Sequence, residues 1–211
     1  NLTIPANKIT AVVGVSGSGK TTLMKLLLKF YEPDNGQIFI GNHDLQNVSQ
    51  KAWRDQFGVV MQEGYIFNDT IANNIAVGED YVDKKKLAHA VDVANIKEFI
   101  ETLPLSYNTK IGMEGVGLST GQKQRLFIAR AVYKNPKFLF FDEATSALDA
   151  NNEKQIMENL DIFFKDKTVM VIAHRLSTVK NAHQIVVLDK GRIVEVGDHK
   201  SLVAKKGNYY H

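Results

Sequence analysis

A chain of 211 residues with 44% hydrophobic side chains can bury one sizeable core, and its longest apolar runs, Val169 to Ala173 and Phe138 to Phe141, are far too short to cross a bilayer. The absence of cysteine excludes a disulfide framework and fits a reducing cytosol. Lys+Arg at 26 against Asp+Glu at 23 gives a formal charge of +3 with no nucleic-acid footprint, and the one basic run, Lys84-Lys85-Lys86, reads as a solvated helix face.

Asn1 to Pro5 lacks a basic segment followed by an apolar block, so it does not read as a signal peptide. Ile9-Thr10-Ala11-Val12-Val13 reads as a buried parallel strand, and Thr22 to Leu28 reads as a helix. Between them Gly14-Val15-Ser16-Gly17-Ser18-Gly19-Lys20-Thr21 fits G-x-x-x-x-G-K-[ST] in the strand-loop-helix setting that a P-loop requires. The glycines let backbone N–H groups converge on phosphate oxygens, and the positive end of the helix dipole adds to the attraction. Gly14, Ser16, Gly17, Ser18, Gly19, Lys20, Thr21 and Thr22 are therefore the candidate phosphate-binding set. Lys20 is predicted to reach the β- and γ-phosphates of a nucleoside triphosphate, and the Thr21 hydroxyl to ligate Mg²⁺.

Pro33-Asp34-Asn35-Gly36 is a turn feeding a strand over Gln37 to Ile40, which Gly41-Asn42 closes with hairpin chemistry, so an antiparallel piece accompanies the parallel core. A further strand is predicted over Phe57 to Met61. From Thr70 to Tyr107 the strand signal gives way to helical spacing at Leu87, Val91, Ala94 and Ile100, the pattern of a helical insertion. Ser119 is a candidate N-cap for a helix that turns Leu126, Ala129 and Val132 inward, and its N-terminus, with Gly121 allowing close approach, can receive an anion. Phe138 to Phe141 then delivers Asp142 and Glu143 to the carboxyl edge of a parallel sheet, Asp142 suited to a metal and Glu143 to an attacking water. Strands are predicted again over Val169 to Ile172, Ile185 to Leu188 and Ile193 to Val196. The abrupt start and the ending at Gly207 to His211 suggest that the protein extends past both ends.

These segments together resemble the ATP-binding cassette (ABC) family, along nearly the whole chain. Gly14 to Thr21 resembles its Walker A motif, Gln62 in Val60-Met61-Gln62-Glu63 its Q-loop, and Leu118 to Gln122 its signature motif. Phe138 to Glu143 is similar to Walker B, Ser146-Ala147-Leu148-Asp149 to the D-loop, and His174 to the switch histidine. The resemblance implies an α/β fold with a P-loop NTPase core, a mainly parallel sheet, a small antiparallel β piece and a helical subdomain at residues 70–135 of a domain spanning 1–211. It implies ATP and Mg²⁺, the latter at Thr21, Asp142 and Gln62, and a head-to-tail dimer in which Ser119, Gly121 and Gln122 of one copy complete the ATP site of the other. Glu143 would polarise the water, His174 contact the γ-phosphate, and Asp149 link the two sites.

Tyr65 to Ile75 and Glu195-Val196-Gly197-Asp198-His199 resemble exporter subunits, in which the cassette serves a transmembrane domain at the cytoplasmic face of the membrane. Asn135 to Glu153 resembles bacterial peptide or bacteriocin exporters, some with an N-terminal peptidase domain. Three features depart from the family pattern. Thr120 stands where the signature has glycine, Met113 and then Glu114 follow Gly112 where an acid is usual, and the adenine-stacking aromatic falls upstream of Asn1. Thr120 and Glu114 motivate an alternative, an ATP-binding regulatory module with little or no hydrolysis. A DNA-repair or translation member of the superfamily should carry a long coiled coil or a basic arm, and the sequence has neither.

Overall fold

The computed structural model describes residues 1–61, 64–113, 117–142, 150–173 and 179–210. Its sheet is built on short runs that, apart from the edge strand Arg192–Gly197, are apolar on both faces. These are β1 (Ile9–Val13), β4 (Phe57–Val60), β7 (Phe138–Asp142), β8 (Thr168–Ile172), β9 (Gln184–Asp189) and β10 (Arg192–Gly197), in the order β10-β9-β1-β8-β7-β4. β1 is paired on both edges in parallel, to β8 (Ile9 opposite Val169) and to β9 (Thr10 opposite Gln184), and β7 runs parallel to β8. Burial on both faces explains why these strands read as continuous rather than alternating hydrophobics. β10 returns antiparallel to β9 and alternates in exposure, as an edge strand with one wet face does. The two are joined by Lys190 and Gly191 at φ 47° and 76°, the positive pair that matches a tight hairpin to strand twist.

The strands predicted over Ile9 to Val13, Phe138 to Phe141, Val169 to Ile172, Ile185 to Leu188 and Ile193 to Val196 stand within a residue of where the periodicity placed them. The strand expected over Gln37 to Ile40 is only Phe39–Ile40 (β2), paired with His43–Asp44 (β3), because the tight Gly41 turn leaves two ladder pairs. The helix expected from Thr22 begins earlier, as α1 (Lys20–Leu27). Gly19 at φ 102° turns the chain sharply enough for Lys20 and Thr21 to enter helical geometry at once.

Two compact bodies result. The first comprises Asn1–Phe57, Lys137–Asp142 and Asp166–His211; the second comprises Gly58–Pro136 and Glu143–Lys165. In the first, α2 (Gln50–Gln56) buries Trp53 against Phe57 at 5.4 Å and Phe138 at 5.1 Å between ring centroids, and its indole N–H donates to the Leu27 carbonyl at 2.9 Å. α8 (His199–Lys205) follows β10, and the chain beyond it is held by the Glu195 carboxylate, which accepts from the N–H groups of Asn208 and Tyr209.

The second body is helical: α3 (Ile71–Ile75), α4 (Lys84–Val93), α5 (Lys97–Thr102), α6 (Thr120–Lys134) and α7 (Ala150–Phe163), with α6 packed on α3 and α4. Leu87, Val91, Ala94 and Ile100 are buried, as the helical spacing required, and so are Leu126, Ala129 and Val132. A pair that the sequence did not announce, β5 (Asp69–Thr70) with β6 (Lys110–Ile111), closes its other end. Lys84, Lys85 and Lys86 are exposed on the first turn of α4. Asp83 caps that turn by accepting from the Lys85 and Lys86 N–H groups, which hold its carboxyl below the usual range, that of Lys86 most strongly. No helix among the described residues is long and apolar enough to cross a membrane.

Trp53 is the only tryptophan, so its replacement isolates one packing site. Trp53→Phe keeps the ring contacts and leaves the Leu27 carbonyl without the indole donor, at a cost of about 1–2 kcal/mol. Trp53→Ala also opens a cavity and costs about 3–5 kcal/mol. Urea unfolding followed by far-UV circular dichroism should rank the midpoints wild type, Phe, Ala.

Candidate functional site

Sheet register sets the candidate site of the first body. Val12 of β1 and Asp142 of β7 both stand opposite Ile172 of β8, so the loop after β1 and the end of β7 open on the same carboxyl edge. There Thr21 Oγ1 donates to Asp142 Oδ2 at 3.4 Å, although the two residues are 121 positions apart in the chain. Asp142 is 7% exposed. A buried carboxylate needs hydrogen bonds or a cation, and a hydroxyl and a carboxylate so placed fit Mg²⁺, which commonly takes one or two protein oxygens beside phosphate and water.

The glycine-rich loop is shaped by close approach. Gly14, at φ 150°, passes so near Leu188 of β9 that an added Cβ would lie 2.2 Å from the Leu188 carbonyl oxygen and 2.7 Å from Ser18 Oγ. The Ser18 N–H donates to the Val15 carbonyl at 3.1 Å, and the Gly191 N–H donates to the Ser18 carbonyl at 2.9 Å. Lys20, buried at 6% exposure, donates from Nζ to the carbonyls of Gly14 at 2.7 Å and Val15 at 3.1 Å. An ammonium has three donors, so one remains for a phosphate oxygen. Among the described residues the N–H groups of Ser16, Gly17 and Gly19 meet no acceptor, and neither does the buried hydroxyl of Ser18. Donors converging without acceptors at a helix N-terminus fit an anion. Ser16, Thr21 and Thr22 are exposed at this loop.

The candidates of the second body gather at the start of α6. Ser119 Oγ accepts from the Gln122 N–H at 3.2 Å, and Gln122 Oε1 accepts from the Ser119 N–H at 2.9 Å, a capping box. The cap uses the serine oxygen as acceptor and keeps its O–H for an anion. Gln122 is thereby engaged with its own helix through its oxygen. Gly121 is half-buried in the first turn, and Thr120 beside it is exposed. Gln62, Glu143, Asp149 and His174, together with Glu114, lie outside the described residues.

Two contributors escaped the motif reading. The Leu188 carbonyl imposes glycine at position 14, and the Lys190-Gly191 turn supports the loop from beneath through Ser18. A Lys-Gly pair between two apolar runs is a hairpin signal that the sequence did offer. Its contact with the loop depends on strand order, which no local pattern encodes.

Residues 1–146 match the family described as "ABC transporter". The chain is 49% identical over 211 residues to the toxin RTX-I translocation ATP-binding protein of Actinobacillus pleuropneumoniae, covering 100% of this chain and 30% of that protein. It is likewise 49% identical over 210 residues to the ATP-dependent lipid A-core flippase of Syntrophus aciditrophicus (strain SB), covering 35% of that protein. It thus spans about a third of the length of these relatives. Among solved structures, one of a bacterial Atm1-family ABC exporter with ATP bound superposes with a TM-score of 0.93 at 42% identity, covering 98% of this chain and 36% of that one.

The loop geometry separates two glycines of the same motif. Gly14→Ala meets a main-chain carbonyl and should cost about 2–3 kcal/mol of loop distortion, weakening nucleotide binding roughly 30- to 150-fold. At Gly17 a Cβ meets nothing within 4 Å and only φ 78° is unfavourable. Gly17→Ala should therefore cost about 1 kcal/mol, roughly fivefold. Titration with a fluorescent ATP analogue distinguishes the two.

Proposed function

The chain belongs to the ABC transporter family, and from that membership we propose that it is the ATP-hydrolysing cassette of an exporter, which pairs head-to-tail with a second copy or a homologous domain and drives a transmembrane partner. The fold is that of ABC ATPase domains. The observation that carries the reading is the meeting of the Thr21 hydroxyl with the Asp142 carboxylate beside a loop of unmatched donors.

In this reading Gly14 to Thr22 cradle the triphosphate, and Lys20 extends its remaining donor to the β- and γ-phosphates. Thr21, Asp142 and Gln62 hold Mg²⁺, which neutralises phosphate charge when bound. Glu143 orients and polarises the attacking water, and His174 contacts the γ-phosphate. Ser119, Gly121 and Gln122 complete the site of the opposite copy from the helical subdomain at residues 70–135, and Asp149 links the two sites. Closure on ATP and reopening after hydrolysis move the membrane partner. The cassette then works at the cytoplasmic face of the membrane.

Peptide cargo is the finer proposal. It rests on the likeness of residues 135–153 to peptide exporters and on a relative named for toxin translocation. An equally similar relative is named for lipid A-core flipping, so cargo must be tested by transport, including of a chain with a peptidase domain upstream.

Steady-state Mg-ATP hydrolysis against protein concentration tests the core of the proposal. Turnover per chain should rise with concentration, as a site shared between two copies requires. Glu143→Gln should bind ATP normally and lose at least about 100-fold in turnover. Lys20→Ala should instead weaken nucleotide binding by about tenfold or more. Binding without Glu143-dependent turnover at any concentration replaces the proposal with the regulatory module that Thr120 and Glu114 suggest.

A further inference from the structure

Arg130, in the third turn of α6, has a set of partners that the ATP site does not use. Its Nε donates to the Asn74 carbonyl at 2.8 Å, Nη1 to the Tyr65 carbonyl at 3.1 Å, and Nη2 to Asn74 Oδ1 at 3.4 Å. Its Cζ lies 5.5 Å from the ring centroid of Phe67 and 5.4 Å from that of Phe127. These neighbours are carbonyls and aromatic rings. Burial draws the guanidinium down to about 10, so it remains charged at neutral pH.

Every oxygen this cation holds belongs to one stretch of chain, Tyr65 to Asn74. Asn74 is fully buried, and its amide accepts from the Phe67 N–H at 2.9 Å while donating to the carbonyls of Phe67, Asp69 and Thr70. Gly64 presses on Phe127 so closely that a Cβ there would lie 2.6 Å from its ring. Residues 64–70 are thus wrapped onto α6 by Arg130, Asn74 and Phe127. Gln62 precedes the wrapped stretch by two residues in the sequence. Ser119 and Gly121 stand at the start of the same helix.

We infer that Arg130 is a positioning residue that ties the connection following Gln62 to the helix carrying Ser119 and Gly121, so that the glutamine proposed to hold Mg²⁺ and the phosphate donors of α6 are coupled. The inference rests on the proposed ATPase reading. A flat, forked cation is required, because only a guanidinium can serve three oxygens in fixed directions while covering aromatic faces. Lysine has the charge without the fork.

The test is a double-mutant cycle on the full-length protein, measuring kcat, KM for ATP and the Mg²⁺ dependence of turnover. Arg130→Lys should lower kcat roughly 3- to 30-fold with KM within about twofold, and should raise the Mg²⁺ concentration needed for half-maximal turnover. In a Gln62→Ala background the same change should have no further effect, because its route is already cut. Phe67→Leu, at a half-exposed ring, should repeat the pattern more weakly where Arg130→Lys lowers the folded yield. An unchanged kcat, or fold-losses that multiply with Gln62→Ala, overturns the inference and leaves Arg130 as a packing element. Failure of the underlying reading is separate: it appears as turnover in the parent protein that survives Glu143→Gln.

Discussion

The nucleotide end of this molecule is organised around the buried ammonium of Lys20. A desolvated cation is tolerable only where oxygens surround it, and here the carbonyls of Gly14 and Val15 supply them. In a trans peptide the N–H points opposite to the C=O, so turning those two carbonyls toward Lys20 turns the N–H groups of Val15 and Ser16 away from it. The lysine therefore shapes the loop's donor face before any phosphate arrives. The loop can curl this way only because Gly14 slips past the Leu188 carbonyl, which in turn requires β9 beside β1. One charge thus places demands on residue choice, on the loop and on strand order.

Much of this was legible because the signals are local. Short apolar runs mark the strands, since a sheet covered on both faces needs no alternation. Buried positions recur every three or four residues at Leu87, Val91 and Ala94 along α4 and its end, since one helix face meets the core. The P-loop spacing is likewise a local fact: the residues that curl, donate and ligate sit within one turn of each other. Ser119 as a cap needed only a hydroxyl placed before a helical run.

The remainder depended on contacts between distant parts of the chain. Nothing near Thr21 announces Asp142, and nothing near Gly14 announces Leu188; both meetings follow from β8 lying between β1 and β7 and from β9 flanking β1. The helix start at Lys20 was missed because lysine and threonine have no special preference for the first turn, and the decisive term was the positive φ of Gly19. Arg130 was hidden for another reason. An arginine in the sequence of α6 looks like a solvated residue, and only the fold shows that two of its three hydrogen-bond partners are main-chain oxygens, which leave no trace in side-chain identity.

α6 then has a mechanical consequence. Ser119 and Arg130 are 11 residues apart, which is about 16 Å along a straight helix. A helix of this length, packed on α3 and α4 through side chains that are almost wholly buried, resists bending far more than it resists displacement as a whole. The O–H that Ser119 keeps for an anion and the oxygens that Arg130 grips are therefore two ends of one rigid body. Any event that draws the helix N-terminus toward a phosphate must carry the chain from Gly64 to Thr70 with it or break the hydrogen bonds of Arg130 and Asn74. Carrying it is the cheaper course, because a half-buried guanidinium that loses its carbonyls regains only part of their hydrogen bonding from water.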